Sequence, residues 1–269
     1  MNFQFFDFRT DTQNNNQTNI DLDRGYLFGD GFFTTAIIQD GKINHQPLHQ
    51  QRLNDSSIKL KFSGFKPEQL FEYIDDKIKT ISNACVRITV SRAQQMRGYA
   101  FSGNEKINVC IQLFSLIEQP KSFCELFFAD TPISNNPFLA GIKHLNRLDN
   151  VFAAKEIKKI NQESLMCIDD LVICGSRTNL FIKQGGVWLT PKLDKAGING
   201  ITRLRLIKLM REQDINIRLR DISKQQVIDC DAALVTNSLL GIWSVCRIGD
   251  KPLATKLSEN LKYQLNIKR

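Results

Sequence analysis

The run Phe32-Phe33-Thr34-Thr35-Ala36-Ile37-Ile38 limits what this chain can fold into more than any other segment. It is uncharged, rich in aromatic and β-branched residues, and reads as a buried strand. Asp40-Gly41 follows closely and is a hairpin turn signal. Gly25 to Gly31, just before it, holds three glycines and two aromatics. A sheet begun here must be covered, and the next segments supply the cover. Leu48 to Leu60 carries apolar residues at helical spacing, and Pro67 opens a second amphipathic helix reaching about Ile81, proline being suited to a first helical position. Val86 to Val90 and Ile107 to Phe114 then read as further strands.

The second half shows the same mixture. Strands are expected at Phe123–Phe128, Leu165–Ile168, Leu171–Cys174, Leu180–Lys183, Val187–Leu189, Ala233–Val235 and Trp243–Ile248. A helix is expected from about Leu145 to Ile160, where Leu145, Leu148, Phe152, Ile157 and Ile160 fall close to one face. Another runs from near Gly200 to Arg211, and a last one ends the chain. Polar stretches at Thr10–Asn19 and Thr131–Pro137 read as loops, and Glu118-Gln119-Pro120-Lys121-Ser122 as a linker. Helices and strands in both halves, without strict alternation, predict a mixed α/β (α+β) protein. The expected division is an N-terminal α/β domain over 1–118 and a C-terminal α/β domain over 119–269.

Composition narrows the class. Of 269 residues, 42% are hydrophobic and 24% charged, ordinary proportions for a soluble globular protein. No apolar run approaches the roughly 18 residues that cross a bilayer. The start, Met1 to Asp7, lacks a basic segment followed by an apolar one, so a signal peptide is not expected. Seven cysteines, odd in number and never in C-x-x-C spacing, suggest reduced cytoplasmic thiols rather than disulfides or a zinc site. With only His45, His49 and His144, a histidine-rich metal site is not expected either. The net charge of +8 is spread along the chain without an aromatic-interleaved basic block, which favours a solvated surface over nucleic-acid binding.

Three segments could carry chemistry. Gly197-Ile198-Asn199-Gly200-Ile201-Thr202 leads into an amphipathic helix, where glycines allow close backbone approach and the helix start offers N–H groups to an anion. A plain turn with Thr202 near a cap would look the same. Lys143 lies among apolar residues in Phe138 to Leu145. Desolvation there would make its amine a nucleophile for a Schiff base; a lysine stem lying over an exposed apolar surface is the alternative. Arg97-Gly98-Tyr99 follows a strand, and an arginine beside a tyrosine hydroxyl suits a carboxylate, although the tripeptide is a common one.

Taken in order, these segments resemble a known family. Asp23-Arg24-Gly25 through Gly29-Asp30-Gly31-Phe32-Phe33-Thr34-Thr35 is similar to the signature of class IV pyridoxal-phosphate (PLP) enzymes. Its Thr-Thr ending resembles the aminodeoxychorismate lyases rather than the transaminases, which carry Glu-Thr. His49-Gln50-Gln51-Arg52-Leu53 resembles the block whose arginine binds the PLP phosphate. Gly141 to Leu148 resembles the lyase segment around the Schiff-base lysine, and Asn179-Leu180-Phe181, Thr190-Pro191 and Gly197 to Arg203 match later blocks.

The resemblance implies a two-domain fold of the D-amino acid aminotransferase kind (fold type IV), with PLP at the domain interface, and usually a homodimer. It makes Lys143, in the C-terminal domain, the Schiff-base residue and proton shuttle. Arg52, Ile201, Thr202 and Asn237 become the phosphate site, and Arg97, Tyr99 and Thr34 substrate contacts. The implied activity is conversion of 4-amino-4-deoxychorismate to 4-aminobenzoate and pyruvate for folate synthesis. A D-amino-acid or branched-chain aminotransferase, or a silent homologue, are the alternatives. One position departs: five residues before Asn179, where the family places a glutamate that pairs with the PLP ring nitrogen, stands Cys174. A thiol near its usual pKa of about 8.5 is mostly neutral and cannot replace that charge.

Overall fold

The computed structural model describes residues 1–7, 23–93, 98–116 and 123–265. The Thr10–Asn19 loop, the linker over 118–122 and Arg97 lie outside the described residues. The chain divides into two compact units: Met1–Glu118 with Ile142–Asn146, and Gln119–Gly141 with Arg147–Arg269.

The first unit is a five-stranded sheet covered by helices. Its elements are β1 (Asn2–Asp7), α1 (Arg24–Phe28), β2 (Gly31–Gln39), β3 (Lys42–Ile43), α2 (Gln46–Lys59), α3 (Pro67–Ile78), β4 (Asn83–Arg92) and β5 (Ile107–Phe114). The strand order is β1-β5-β4-β2-β3; β1 runs parallel to β5 and the rest pair antiparallel. The Phe32–Ile38 run is β2, as its composition predicts. Phe32, Ala36 and Ile38 point into a core shared with Leu53 of α2, Leu70, Phe71 and Ile74 of α3, and Val86, Ile88 and Val90 of β4. Fully burying each such side chain contributes about 1.5–3 kcal/mol.

Ile142–Asn146 also belongs to this unit. The Phe33 N–H donates to Lys143 O at 2.9 Å and the Leu145 N–H to Gly31 O at 3.0 Å. The glycines of the G-D-G motif make room for this. A Cβ on Gly31 would collide with Val90 O and Leu145, and one on Gly29 with the Asn146 side chain. Lys143, expected in the C-terminal domain, therefore packs with the N-terminal residues.

In the second unit one sheet is buried on both faces. Its elements are β6 (Cys124–Phe128), α4 (Leu148–Lys155), β7 (Gln162–Ile168), β8 (Leu171–Gly175), β9 (Asn179–Gln184), β10 (Val187–Thr190), α5 (Ile201–Glu212), β11 (Ile217–Leu219), α6 (Lys224–Ile228), β12 (Ala232–Asn237), β13 (Gly241–Ile248), β14 (Lys251–Pro252) and α7 (Lys256–Gln264). The order is β11-β10-β9-β12-β13-β6-β7-β8, with β14 on β13. Along β12, Ala232 and Leu234 join a core with Leu206 and Met210 of α5 and Leu261 of α7, while Ala233 and Val235 join another with Leu180, Val227 and Trp243. A strand buried on both sides reads as an unbroken apolar run, which is how these segments appear in the sequence.

One helix differs from its expectation. The pattern from Leu145 to Ile160 yields a helix only over Leu148–Lys155, because the preceding residues pair with β2. Its apolar stripe faces outward: Leu148, Val151 and Phe152 are 67%, 59% and 52% exposed.

Candidate active site

In the first unit, Lys143 stands over β2. Its Nζ lies 4.4 Å from the centroid of the Phe33 ring, and the Arg87 guanidinium lies 4.0 Å from the same centroid. The amine thus rests on an aromatic face, half-buried, with its backbone fixed by the pairing to Phe33.

Thr34 alternates with Phe33 and points to the opposite, core side of β2, beneath α2. It is fully buried, and its hydroxyl lies 2.6 Å from His49 Nδ1 and 3.4 Å from Arg52 Nη1. His49 and Arg52 stand one helical turn apart on α2 and so share a face. Burial, then the charges of Arg52, His45 and Lys143, push the His49 pKa down to about 3, so the ring is neutral. Burial lowers that of Arg52 to about 10, which leaves it a cation at neutral pH. Of the residues expected in the site, Thr34 and Arg52 therefore meet here with His49, which was not anticipated, while Lys143 stands over the Phe33 ring.

The Asp23-Arg24-Gly25 motif has a structural role that the sequence marked without explaining. Asp23 caps α1, taking the Gly25 N–H at 2.6 Å, and accepts from Ser91 Oγ and Asn108 Nδ2. Arg24, nearly sealed from solvent, donates to the carbonyls of Gly98, Tyr99 and Ala100 at 3.0, 2.7 and 3.2 Å and pairs with Asp30 at 2.8 Å. Asp30 also holds Arg92. The Tyr99 ring remains 84% exposed, 5.1 Å from Phe28.

In the second unit, α5 starts at Gly200 with no side chain capping its first amides, and Ile201 and Thr202 form its first turn. Gly200 leaves no room for a Cβ beside Asn179, whose Nδ2 donates to Ile198 O at 2.8 Å. Buried Arg203 fixes the approach, donating to Asn199 Oδ1 at 2.8 Å and Pro191 O at 2.9 Å. Thr202 Oγ1 donates to Asn237 O at 2.8 Å. The Asn237 side chain is spent on its own turn, accepting from the Leu239 and Leu240 amides and donating to Arg177 O. Thr236, on the face of β12 that α5 covers, is 1% exposed, and its hydroxyl lacks a hydrogen-bond partner.

Cys174 sits on β8 among Ile133, Ala153, Met166, Ile173 and Ala196. Burial pushes its thiol up to about 12, with Arg147 opposing and Glu163 reinforcing the shift. Burial lowers Arg147 to about 10. Its guanidinium donates to Asn150 Oδ1 at 3.2 Å, and Asn150 donates in turn to Ser176 O at 2.7 Å. Asp169 and Asp170 lie exposed in the β7–β8 turn. Glu163, on β7, was not foreseen: it is fully buried and accepts from Ser176 Oγ at 2.6 Å, the Ser176 and Ser164 amides, and Arg177 Nε at 3.4 Å. Burial raises its pKa above the usual carboxylate range.

Residues 31–248 match the profile of the class IV amino-transferases. An aminodeoxychorismate lyase from Vibrio harveyi is 27% identical over 265 residues, which covers 93% of this chain and 97% of that protein. A D-alanine aminotransferase from Bacillus licheniformis is 25% identical over 239 residues, covering 87% and 84%. The crystal structure of the 4-amino-4-deoxychorismate lyase of Pseudomonas aeruginosa superposes with a TM-score of 0.84 at 25% identity, covering 93% of this chain and 94% of the other. The match over residues 31–248 places the chain in the class IV amino-transferases, enzymes that depend on pyridoxal 5'-phosphate.

Proposed function

We propose that this protein is a cytoplasmic lyase that converts 4-amino-4-deoxychorismate to 4-aminobenzoate and pyruvate, a step of folate biosynthesis. The observation that carries this reading is the likeness, over nearly the whole chain, to an aminodeoxychorismate lyase in sequence. Thr34, where transaminases of the family carry glutamate, points the same way.

The residues present fit the cofactor at its amine-reactive and phosphate ends. The uncapped amides of Ile201 and Thr202 at the start of α5 suit a phosphate. The orphan Thr236 hydroxyl and the Asn237 turn stand beside the Thr202 bond. By the resemblance of their motifs, Arg52 is the guanidinium proposed for the phosphate and Lys143 the amine proposed for the aldehyde. At the ring nitrogen the fit departs from the family, since Cys174 is a neutral thiol.

When bound, PLP withdraws electron density from the amine-bearing carbon of the substrate and so acidifies its C–H bond. Lys143 Nζ removes that proton. The C–O bond at the adjacent carbon then breaks, enolpyruvate departs with the electron pair, and the ring becomes aromatic. Enolpyruvate takes up the proton and becomes pyruvate. Aromatisation supplies driving force that a transaminase lacks, so elimination tolerates the missing carboxylate at position 174. Arg97 and Tyr99 hold the substrate carboxylate.

The test is direct. Purified protein with PLP and 4-amino-4-deoxychorismate should release 4-aminobenzoate, and Lys143→Ala should abolish the release. If the wild type instead exchanges amino groups between D-alanine and a 2-oxo acid and releases no 4-aminobenzoate, it is a transaminase. Neither activity would mark a silent homologue.

A further inference from the structure

The contacts among Arg52, Thr34 and His49 have a direction fixed by chemistry. A guanidinium only donates, so Arg52 Nη1 gives a hydrogen bond to Thr34 Oγ1. The Thr34 hydroxyl proton must then find an acceptor inside a fully buried setting. His49 Nδ1, at 2.6 Å, is the acceptor within reach. If Nδ1 carried a proton instead, the threonine proton would be stranded. His49 is therefore the neutral tautomer protonated at Nε2, and the donations run from Arg52 to Thr34 to His49.

We propose that Thr34 and His49 are positioning residues, which set the plane of the Arg52 guanidinium for a phosphate and act through it rather than on the substrate. This rests on the reading of Arg52 as a phosphate ligand. The physical reason lies in the arginine itself. Its long side chain has many rotamers, and its planar fork binds an oxyanion well only when the plane is held. A hydroxyl orients the fork without neutralising it, whereas a carboxylate in hydrogen-bond contact would offset its charge. The acceptor at the end of the chain must also stay uncharged, because an imidazolium would repel the guanidinium and offer no lone pair at Nδ1. The burial of His49 beneath β2 keeps it so.

The experiment compares affinities of the full-length apo-protein for PLP and for pyridoxal, which lacks the phosphate, by absorbance titration. Thr34→Val and His49→Ala should each weaken PLP binding by about tenfold, the effect of one lost hydrogen bond to a charged group. Pyridoxal affinity should barely change. Thr34→Ser and His49→Asn, which restore a hydroxyl and an acceptor, should recover most of the PLP affinity. In an Arg52→Ala background, Thr34→Val should have no further effect on the PLP-to-pyridoxal ratio. Equal losses for the two ligands, or an undiminished effect without Arg52, would overturn the proposal. If Arg52→Ala alone leaves the ratio unchanged, the phosphate reading of Arg52 is what fails. If Thr34→Val or His49→Ala does not fold, Thr34→Ala or His49→Leu takes its place in the titration and in the Arg52→Ala cycle, with the same outcomes deciding.

Discussion

Position 174 carries a thiol where the family resemblance leads one to expect a carboxylate. The thiol is neutral because burial outweighs the nearby Arg147 charge, so no anion is supplied there. Cys174→Glu would place a carboxylate beside a guanidinium that can compensate it. Its rate of 4-aminobenzoate release should stay within about threefold of wild type, and any D-alanine transamination should rise by about tenfold or more, a change of about 1.4 kcal/mol in barrier. An equal gain in both, measured side by side, would refute the assigned role. His49 gives a second prediction. Its folded pKa, about 3, is below the unfolded value of 6.5. The unfolded chain therefore binds the extra proton first as pH falls, and stability is lost between about 6.5 and 3 at about 1.4 kcal/mol per pH unit. Urea midpoints of His49→Asn against wild type should converge as the pH is lowered through this window. The sequence displayed Lys143, Thr34, Arg52 and Cys174 through motif spacing. It could not display His49 as a partner of Thr34, or Glu163 as the anchor of the Ser176 turn, because both depend on which strand and helix faces meet.

At the scale of elements, β2, β4, β5, α2, α3 and α5 lie close to where periodicity predicts them. These are long, and their apolar faces are matched by cores. Short pieces such as α1, α6, β3 and β14 carry too few residues for a period to show. The segment before α4 failed for a different reason. Lys143 to Leu145 satisfies its backbone by pairing with β2 rather than by continuing the helix, a tertiary choice that local pattern does not encode. That pairing depends on close approach at Gly31. Gly31→Ala should push Leu145 away from β2, lowering the thermal midpoint by several degrees, as about 1 kcal/mol does in a domain of this size. Its PLP occupancy should fall as well. A variant with wild-type midpoint and occupancy would show that the segment has slack.

At the scale of the molecule, Leu148, Val151 and Phe152 form an exposed stripe at helical spacing on α4, and Phe138 is 58% exposed. Among the described residues nothing covers this stripe, and a second copy of the chain is the proposed cover. Light scattering should give twice the mass of one chain, and Val151→Asp with Phe152→Asp should halve it; a monomeric wild type would refute the assembly. The helices of the described residues include none long and apolar enough to cross a membrane. The hold of Arg24 on residues 98–100 has a further consequence. Within that stretch its hydrogen bonds go to three main-chain carbonyls. The anchorage is therefore indifferent to which side chains the loop displays. Selection, or an engineer, could rewrite Tyr99 and its neighbours while the seat beneath them stays the same. A frame of that kind lets chemical preference drift without any cost to the scaffold that carries it.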